Sequence, residues 1–369
     1  MEGNPAVTVI VINYNSYRRW SVVEQCIRGM LSLRYPLEII FVDNGSTDGS
    51  YELLKKFIDE NLKEFDENLK VRVIRLSKNY GFAVSNLIAY KLRNPNSKYV
   101  ALINNDLFPE PNSLEILVNI LERNPRIAGV QGIILSWDGK YVDSYGGLAM
   151  EHGFLYTVGY SLPSHVLSKP LPVTYVDGAF SIYRVEALES CGGLFLPYFF
   201  MWGDDYELGV RLWRCGWTLL AVPIIVGRHY RGLTVGRRQM SYILEYWVCV
   251  SNIAVMVVLY GYPWITQTLK HLPITLILAF ILIFKSVKRS KALVRGFIDG
   301  LRIGVKLRRR ILRRRPWLKI PKEPRLNVRV FQELALLAKL YFKYGLDASR
   351  IYYRAITRSL GKAFCNSKR

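Results

Sequence analysis

Cysteine is sparse in this sequence, and its positions form no recognisable motif. The five cysteines are Cys26, Cys191, Cys215, Cys249 and Cys365, with no CxxC pair and no spacing typical of metal ligands. This scatter argues against a disulfide framework and against a zinc site. A reducing compartment is the simplest interpretation, because structural disulfides persist mainly in oxidising surroundings.

The N-terminal stretch lacks the features of a signal peptide. Its first apolar run, Val7 to Ile12, is too short for a signal-peptide core, and no basic segment precedes it. We therefore expect the first two-thirds of the chain to stay in the cytoplasm.

Acidic residues are few compared with basic ones. The 369 residues include 51 Lys and Arg but only 29 Asp and Glu, which gives a formal net charge of +22, while 50% of all residues are hydrophobic. The hydrophobic share excludes a disordered chain. The charge predicts an anionic partner, which could be nucleic acid, a phosphorylated ligand or an anionic membrane. The length predicts one large catalytic domain with an appendage.

The sequence does contain a regular alternation of short β-branched runs and longer segments of helical period. The runs are VTVIVI, EIIFVD, VRVIRL, YVALIN and AGVQGIIL, and the helical segments include Ser21 to Leu33 and Ser50 to Asn61. This alternation predicts βαβ units, and therefore an α/β fold with a mostly parallel sheet. Such sheets bind ligands at the carboxyl ends of their strands.

Several of these runs end abruptly in polar residues. They lead into Asn13-Tyr14-Asn15, into Asp43-Asn44-Gly45 and into Asn104-Asn105-Asp106. Asn-Gly and Asp-Gly pairs also favour tight turns, so a turn explains any one of these loops equally well. Because the ends of parallel strands meet at one edge of the sheet, the loops together predict a ligand site there.

An acidic pair precedes a later helical segment, in FFMWGDDYELGVRLWRCGW. The helical spacing is that of Leu208, Arg211, Leu212 and Cys215. Asp204 and Asp205 therefore fall at the N-cap and first turn, where the helix dipole favours acidic side chains. This structural explanation and a catalytic role both remain open from the residues alone.

Together these stretches resemble the glycosyltransferases of family two, a group with the GT-A fold that includes rhamnosyl- and galactofuranosyl-transferase-like enzymes. The resemblance covers about Val7 to Thr234 and is carried by VIVINYNS, FVDNGSTDGS, NYGFAVSN, LINNDLFPEP, VDGAFSIYR, FFMWGDDYELGVRLWRCGW and RHYRGLT. It implies a Rossmann-like GT-A domain with helices on both faces of the sheet. It also implies an enzyme that moves a sugar, with inversion, from a nucleotide-diphosphate sugar to an acceptor.

The resemblance implies a donor site at the strand ends. Its nucleotide-sugar-binding residues would be Asn13, Tyr14, Asn15, Asp43, Asn79, Gly81, Asn104 and Asn105. Asp43 would accept a hydrogen bond from the base or the ribose. Gly81 would allow the backbone to approach the diphosphate closely.

The same resemblance places a divalent cation, Mn²⁺ or Mg²⁺, at Asp106. This residue ends the element that corresponds to the family's DxD motif, and hard oxygen ligands suit either ion. The first position of the motif is Asn104, so the site has one carboxylate fewer and would bind metal weakly without the nucleotide. His229 would complete the site and favour Mn²⁺, although a lone histidine is more often structural.

The acidic pair corresponds to the family's catalytic pair. Asp205 would be the general base that takes the acceptor hydroxyl proton, and Asp204 would orient the acceptor or the base. Gly203 stands where the family commonly has tryptophan. Asp177 and Trp202 would contact the acceptor or the sugar, although Trp202 could equally well only pack.

The chain after residue 240 has a different composition. We divide it into a catalytic domain (1–240), apolar and basic amphipathic membrane-associated helices (241–315) and a proline-containing linker with a helical basic tail (316–369). The stretch from Tyr246 to Phe284 has one ordinary charge, Lys270, and is interrupted by Gly261, Pro263 and Pro273. A spanning hairpin, a re-entrant element and an interfacial helix all remain possible. The usual arginine before asparagine in this extension is Ser251 here.

Two features favour the cytoplasmic membrane face. Basic residues follow the apolar run directly, as the positive-inside rule expects. Beyond them a basic amphipathic helix is expected, with the apolar stripe Val294, Phe297, Ile298, Leu301 and Val305. We therefore expect three partners: a nucleotide-sugar donor, a lipid-linked or glycan acceptor, and an anionic membrane surface.

Two other function classes compete with this interpretation. A nucleotidyltransferase would normally begin with a glycine-rich basic phosphate loop, which neither VINYNS nor VDNGSTDGS supplies. A non-catalytic membrane- or nucleic-acid-binding protein with a degenerate domain would explain the arginine clusters. Nucleic acid is the less favoured partner, because aromatic residues are not interleaved with the basic run.

Overall fold

The fold was analysed in a computed structural model, which describes residues 6–65, 69–150, 155–231, 240–259, 264–314 and 325–326. The strands are β1 Val7–Asn13, β2 Leu37–Asp43, β3 Lys70–Arg75, β4 Tyr99–Ile103, β5 Leu107–Pro109, β6 Ile127–Ser136, β7 Val142–Ser144, β8 Gly147–Met150, β9 Leu155–Thr157, β10 Leu171–Pro172, β11 Phe180–Arg184, β12 Thr218–His229 and β13 Arg325–Leu326. The α-helices are α1 Trp20–Leu31, α2 Ser50–Asn61, α3 Phe82–Leu92, α4 Ser113–Arg123, α5 Val185–Ser190, α6 Asp204–Arg214, α7 Met240–Leu259, α8 Trp264–Ile283 and α9 Val287–Arg314.

Ten strands form the central sheet, and the pairs formed among β1, β2, β3 and β4 are parallel. The order is β10-β12-β6-β11-β4-β1-β2-β3, with β5 attached to β12 and β7 attached to β6. β1 is parallel to both β2 and β4, and β2 is parallel to β3. β11 is antiparallel to β4 and β6. A smaller sheet has the order β13-β8-β9.

The sheet is covered by helices on both faces, as the sequence predicts. Side chains alternate between the two faces of a strand, and in β1 they enter two different apolar clusters. Val9 and Val11 belong to an apolar cluster that also contains side chains of α1, α2 and α4. Ile10 belongs to a second cluster, which contains side chains of α3, α6 and α7. The predicted α/β fold is therefore confirmed.

The predicted helices agree with the observed ones, with differences at their ends. The helix predicted over Ser50 to Asn61 is α2, and the one predicted over Ser21 to Leu33 is α1, which ends at Leu31. In α6 the N-cap is Gly203, whose φ of 83° is left-handed, and no side chain caps the helix. Asp204 and Asp205 therefore both lie in the first turn, and the expectation that the acidic pair supplies the cap is wrong.

The expectation of scattered, unpaired cysteines is wrong for one pair. Cys191, which follows α5, and Cys215, which follows α6, form a disulfide across 24 positions of sequence. The folded chain places Cys191 against α6, where Arg211 donates to its carbonyl oxygen at 3.0 Å, so the spacing of the two cysteines gave no signal. Cys26 and Cys249 are free and buried, and Cys365 lies outside the described residues.

The helices after residue 240 pack on one another and on the catalytic domain. α9 lies against α7 along three glycines, Gly296, Gly300 and Gly304. At Gly300, for example, an added Cβ would lie 2.8 Å from the carbonyl oxygen of Val250. Phe297 of the predicted apolar stripe is buried and stacks against His271 of α8. Part of that stripe therefore packs against protein, whereas Ile298 is exposed, and an interfacial role of α9 stays a prediction.

The proline expected to interrupt the apolar run lies inside a continuous helix. α8 contains Pro273, which is exposed, and extends back to Trp264. Within the described residues α8 is the one helix that is long and apolar enough to cross a membrane, judged by length and composition. Of its most apolar stretch of 18 residues, 39% is buried. Of the predicted proline-containing linker and helical basic tail (316–369), only Arg325–Leu326 lies within the described residues.

Candidate active site

The polar residues at the ends of β1, β2 and β4 come together, as the sequence predicts. Asn13 and Asp43 are register partners at the ends of β1 and β2. The Asn13 amide donates to Asp43 Oδ1 at 3.1 Å, and the Asn105 amide donates to Asn13 Oδ1 at 3.0 Å. Asn104 beside them is half-buried. The three loops thus form one hydrogen-bonded edge.

Asp43 has a different environment from the expected one. It is fully buried. Its Oδ1 accepts from the Ser46 hydroxyl at 2.5 Å as well as from Asn13, and its Oδ2 accepts from the Ser46 backbone amide at 3.0 Å. These bonds hold the carboxylate in place at the end of β2, and its contact with a nucleotide stays a prediction. Tyr14 and Asn15, which follow β1, are half-buried.

Asn79 and Gly81 form a tight loop before α3. Asn79 Oδ1 accepts from the Asn44 amide at 2.9 Å and from the Gly81 backbone amide at 2.8 Å. Gly81 has a left-handed φ of 80°, and an added Cβ would lie 2.2 Å from the carbonyl oxygen of Phe200. Glycine is therefore required here by contact with the segment before α6, whether or not a ligand also approaches.

A histidine held between two carboxylates lies beside this edge. β12 pairs with β5 and so brings His229 to Asp106 across 123 positions of sequence. His229 Nε2 lies 3.0 Å from Asp106 Oδ1, and Nδ1 lies 2.9 Å from Asp143 Oδ2. Burial lowers the pKa of His229, but Asp106 and Asp143 outweigh it and raise the pKa to about 10. Arg231 forms a further ion pair with Asp143.

The acidic pair of α6 contains buried oxygen atoms that have no hydrogen-bond partner. Asp205 Oδ2 accepts from the Gly178 backbone amide at 3.0 Å, whereas Asp205 Oδ1 and Asp204 Oδ2 are buried and unpaired. Burial raises the pKa of Asp204 to about 7. Burial, followed by repulsion from Asp204 and Asp177, raises the pKa of Asp205 well above its ordinary value. Buried polar atoms are rarely left without partners, so this pair is a strong candidate for chemistry.

Asp177 connects the two halves of the site. It is half-buried, and its Oδ1 accepts from the Ala179 backbone amide at 3.0 Å. Its charge raises the pKa of Asp205 on one side and, after Asp143, that of Arg231 on the other. The acidic pair on one side, and the histidine corner formed by His229, Asp106 and Asp143 on the other, therefore lie within electrostatic reach of the same carboxylate.

Residues 8–192 match the family model described as glycosyl transferase family 2. The chain belongs to this family. It is therefore a glycosyltransferase that uses a nucleotide-sugar donor, and the predicted enzyme class is confirmed.

Relatives and solved structures agree with this family assignment. The N-acetylglucosaminyl-diphospho-decaprenol L-rhamnosyltransferase of Mycobacterium tuberculosis is 25% identical over 234 residues, which span 58% of this chain and 73% of the relative. A dolichyl N-acetyl-α-D-glucosaminyl phosphate 3-β-D-2,3-diacetamido-2,3-dideoxy-β-D-glucuronosyltransferase of Methanococcus voltae is 24% identical, over 61% of this chain and 66% of the relative. The crystal structure of GalNAc-T7 with UDP, GalNAc and Mn²⁺ gives a TM-score of 0.54 at 18% identity, and covers 72% of this chain and 49% of that one. This likeness confirms the GT-A fold.

The histidine corner of this family 2 chain fits a divalent cation. Among the residues that the structure describes, no three His, Cys, Asp or Glu side chains form a metal-binding group. Asp106 and His229 are two suitable ligands, and Mg²⁺ or Mn²⁺ commonly takes its other ligands from phosphates and water. Metal binding needs a neutral imidazole, and Asp143 is positioned to hold the remaining proton on Nδ1 in the way that carboxylates orient metal-binding histidines.

Asp143 is the site residue that sequence reasoning missed. It lies in the short strand β7, and no sequence motif marks it. Its role depends on the pairing of β7 with β6 and on β12, which is parallel to β6. No local pattern could have revealed it.

Asp143→Asn is expected to weaken the binding of Mn²⁺ with a nucleoside diphosphate by about 10- to 100-fold, as loss of a carboxylate behind a metal-binding histidine usually does. The asparagine keeps the size of the side chain but removes the charge that orients His229. Isothermal titration calorimetry measures the affinity. Asp138→Asn is the control, because Asp138 is exposed in the turn before β7. Equal affinities of the two variants would contradict the role of Asp143.

Proposed function

We propose that this enzyme transfers a sugar with inversion and with the help of a divalent metal, from a nucleotide-diphosphate sugar to a lipid-linked or glycan acceptor at the cytoplasmic face of a membrane. The observation that carries the proposal is the unpaired Asp205 carboxylate oxygen beside a sheet edge that also holds the Asp106–His229 pair. A proton acceptor and a diphosphate-binding corner are the two groups that this transfer needs.

Asp205 supplies the base. Its carboxylate takes the proton from an acceptor hydroxyl as that oxygen bonds to the anomeric carbon, while the bond from this carbon to the diphosphate breaks. A single displacement inverts the anomeric configuration. The Gly178 amide fixes Oδ2 and leaves Oδ1 available. Asp204, buried next to it, raises the basicity of the pair by repulsion.

The donor side would be organised by the other strand ends. Asp106 and His229 would hold a divalent cation, which, when bound, neutralises the charge that develops on the leaving diphosphate. Asn104, Asn105 and Asn13 would position the nucleotide, and Asp177 and Trp202 the sugar or acceptor. Tyr14 and Asn15 would line the nucleotide pocket.

A membrane location is supported by the surface of the C-terminal helices. One face of α8 exposes apolar side chains: Ile265, Leu269, Leu276, Ile277, Phe280 and Ile283. Exposed basic residues follow directly: Lys285, Lys288, Lys291 and Arg295. An apolar face bordered by basic side chains is suited to an anionic bilayer surface. The names of both relatives specify polyprenol-linked acceptors, decaprenol diphosphate and dolichyl phosphate, which membranes carry.

A nucleotide-sugar panel tests the proposal. The purified protein would be heated with a series of nucleoside diphosphates and nucleotide sugars, each with Mn²⁺, with Mg²⁺ and with EDTA. We expect one base to stabilise the fold, and only with metal. Transfer from that donor to a polyprenyl diphosphate sugar in vesicles, followed by NMR of the new anomeric linkage, tests acceptor and stereochemistry. Retention of configuration, or stabilisation unaffected by EDTA, would contradict the proposed mechanism.

Sugar transfer is expected to slow as the pH falls through neutrality. Asp205 must be ionised to accept a proton, and its pKa is raised above 3.8 by burial and by Asp204 and Asp177. With the pKa of Asp204 at about 7, the pair titrates together, and the acid limb of kcat belongs to both groups. Measurement of kcat against pH with saturating substrates checks this. A kcat that stays level into the range where exposed carboxylates titrate would contradict it.

A further inference from the structure

The segment Phe200–Gly203, which leads into the catalytic helix α6, is in contact with α7. The ring of Trp247 stacks on that of Phe200, with centroids 5.5 Å apart and planes inclined by 27°. The Ser251 hydroxyl donates to the carbonyl oxygen of Trp202 at 2.6 Å. Two side chains of α7 therefore hold this segment, one by its aromatic ring and one by its backbone.

On its other side the same segment contacts the loop before α3, which contains the predicted donor-binding residues Asn79 and Gly81. The Phe200 carbonyl oxygen accepts from the Phe82 backbone amide at 2.8 Å, at the start of α3. Gly81, one residue earlier, leaves no room for a side chain against the same carbonyl. The segment thus connects the loop before α3 with α7, and it ends where Asp204 begins α6.

The backbone of this segment needs outside support. Trp202 has a φ of 59° and Gly203 a φ of 83°, two consecutive left-handed residues. A bulky residue seldom adopts this conformation, and it persists only where the surroundings enforce it. Ser251 is fully buried, and its Cβ lies 2.1 Å from where a Cβ on Gly203 would be. The hydroxyl of Ser251 therefore holds the backbone at the one place where the segment turns into α6.

We infer that Ser251 and Trp247 of α7 are positioning residues for catalysis. They fix the segment Phe200–Gly203. Asp205 can then accept the hydrogen bond from the Gly178 amide, and the Phe82 amide at the start of α3 keeps its bond to the Phe200 carbonyl oxygen. On this view α7 is part of the catalytic unit, whereas a division at residue 240 would assign it to a separate membrane-associated part. The kinetic consequence rests on the proposed role of Asp205 as base. The structural consequence does not.

The kinetic test compares two variants that each lose one buried hydroxyl from the C-terminal helices. Ser251→Ala removes the bond to Trp202. Thr268→Val removes a bond from Thr268 to the Trp264 carbonyl, 2.8 Å long and confined to α8. We expect Ser251→Ala to lower kcat about 10- to 100-fold, as displaced catalytic groups do, with the KM of the donor nearly unchanged. Thr268→Val should keep the parent kcat.

Hydrogen exchange of the full-length protein supplies a readout that needs no activity. Two backbone amides report on the segment: Phe82, bonded to Phe200 O, and Gly178, bonded to Asp205 Oδ2. We expect Ser251→Ala to speed exchange at Phe82 and Gly178 about fivefold, the effect of weakening one hydrogen-bonded contact. Thr268→Val should leave these amides unchanged. If Ser251→Ala does not fold, Trp247→Leu should speed exchange at Phe82 and Trp247→Phe should not.

The outcomes separate this inference from the proposed function. Faster exchange at Phe82 and Gly178 together with a lower kcat supports it. Unchanged exchange in Ser251→Ala, or an equal effect of Thr268→Val, overturns it. Faster exchange in a protein whose parent form transfers no sugar supports the positioning of the segment and rejects the proposed reaction instead.

Discussion

Asp205→Asn is expected to lower kcat for sugar transfer by about 10²- to 10⁴-fold, the usual contribution of a general base. Asparagine can still accept the hydrogen bond from the Gly178 amide, so the start of α6 should keep its place. It cannot take a proton from the acceptor hydroxyl. The KM of the donor should change little, because the Asp106–His229 corner is untouched.

The same substitution is expected to stabilise the fold at neutral pH. The pKa of Asp205 is raised in the folded chain above the ordinary 3.8, so folding favours the protonated carboxyl. That stability is fully present below the unfolded pKa and is lost as the pH rises through the folded pKa. Asparagine carries no such charge, so the variant should melt at a higher temperature than the parent at neutral pH and approach it in acid.

Thermal melting across the pH range and steady-state kinetics measure the two effects on one protein. Asp59→Asn is the control, because Asp59 is exposed on α2 and should alter neither kcat nor the pH dependence of melting. An Asp205→Asn enzyme that keeps more than about a tenth of the parent kcat would reject Asp205 as the base. A variant that melts below the parent at neutral pH would contradict the raised pKa of Asp205 in the folded chain.

The sequence predicted those parts of the site that have a local signature. A buried strand that ends in Asn-Asn-Asp, or an apolar strand that ends in Asn13, is visible within ten residues, and parallel strands bring such ends together. The start of α6 was predictable because it too has a local signature, the acidic pair followed by residues at helical spacing. Its N-cap was not predictable. Asp is a preferred N-cap residue, so the sequence favours Asp204 at that position, whereas Gly203 occupies it in a left-handed conformation.

Features that depend on distant contacts were not predictable. Asp143 and His229 are 86 positions apart and meet only through the pairing of β6, β7 and β12. Ser251 meets Trp202 across 49 positions. Two of the positions where this chain departs from the family pattern, Gly203 and Ser251, are in direct contact, so the absence of a large side chain at one coincides with a small residue at the other. Only the packed structure relates them.

Asp106→Asn is expected to remove metal-dependent nucleotide binding and to lower kcat/KM by about 10³-fold, since a cation that stabilises a leaving diphosphate supplies several kcal/mol. The variant keeps the shape of the side chain but loses the carboxylate ligand. His229 would keep Asp143 as its only acidic neighbour within bonding distance among the described residues, so its pKa should fall from about 10.

Thermal shift with the preferred nucleoside diphosphate, in Mn²⁺ and in EDTA, measures the loss. The parent should be stabilised only with Mn²⁺, whereas Asp106→Asn should respond equally weakly to both. His229→Gln is the informative comparison, because it removes the nitrogen ligand and leaves the carboxylate in place. We expect it to retain part of the Mn²⁺ effect and to shift metal preference towards Mg²⁺, since imidazole favours softer divalent ions. An Asp106→Asn protein that still shows the full Mn²⁺-dependent shift would place the cation elsewhere, and the Asp106–His229 contact would then be a buried ion pair that only stabilises the junction of β5 and β12.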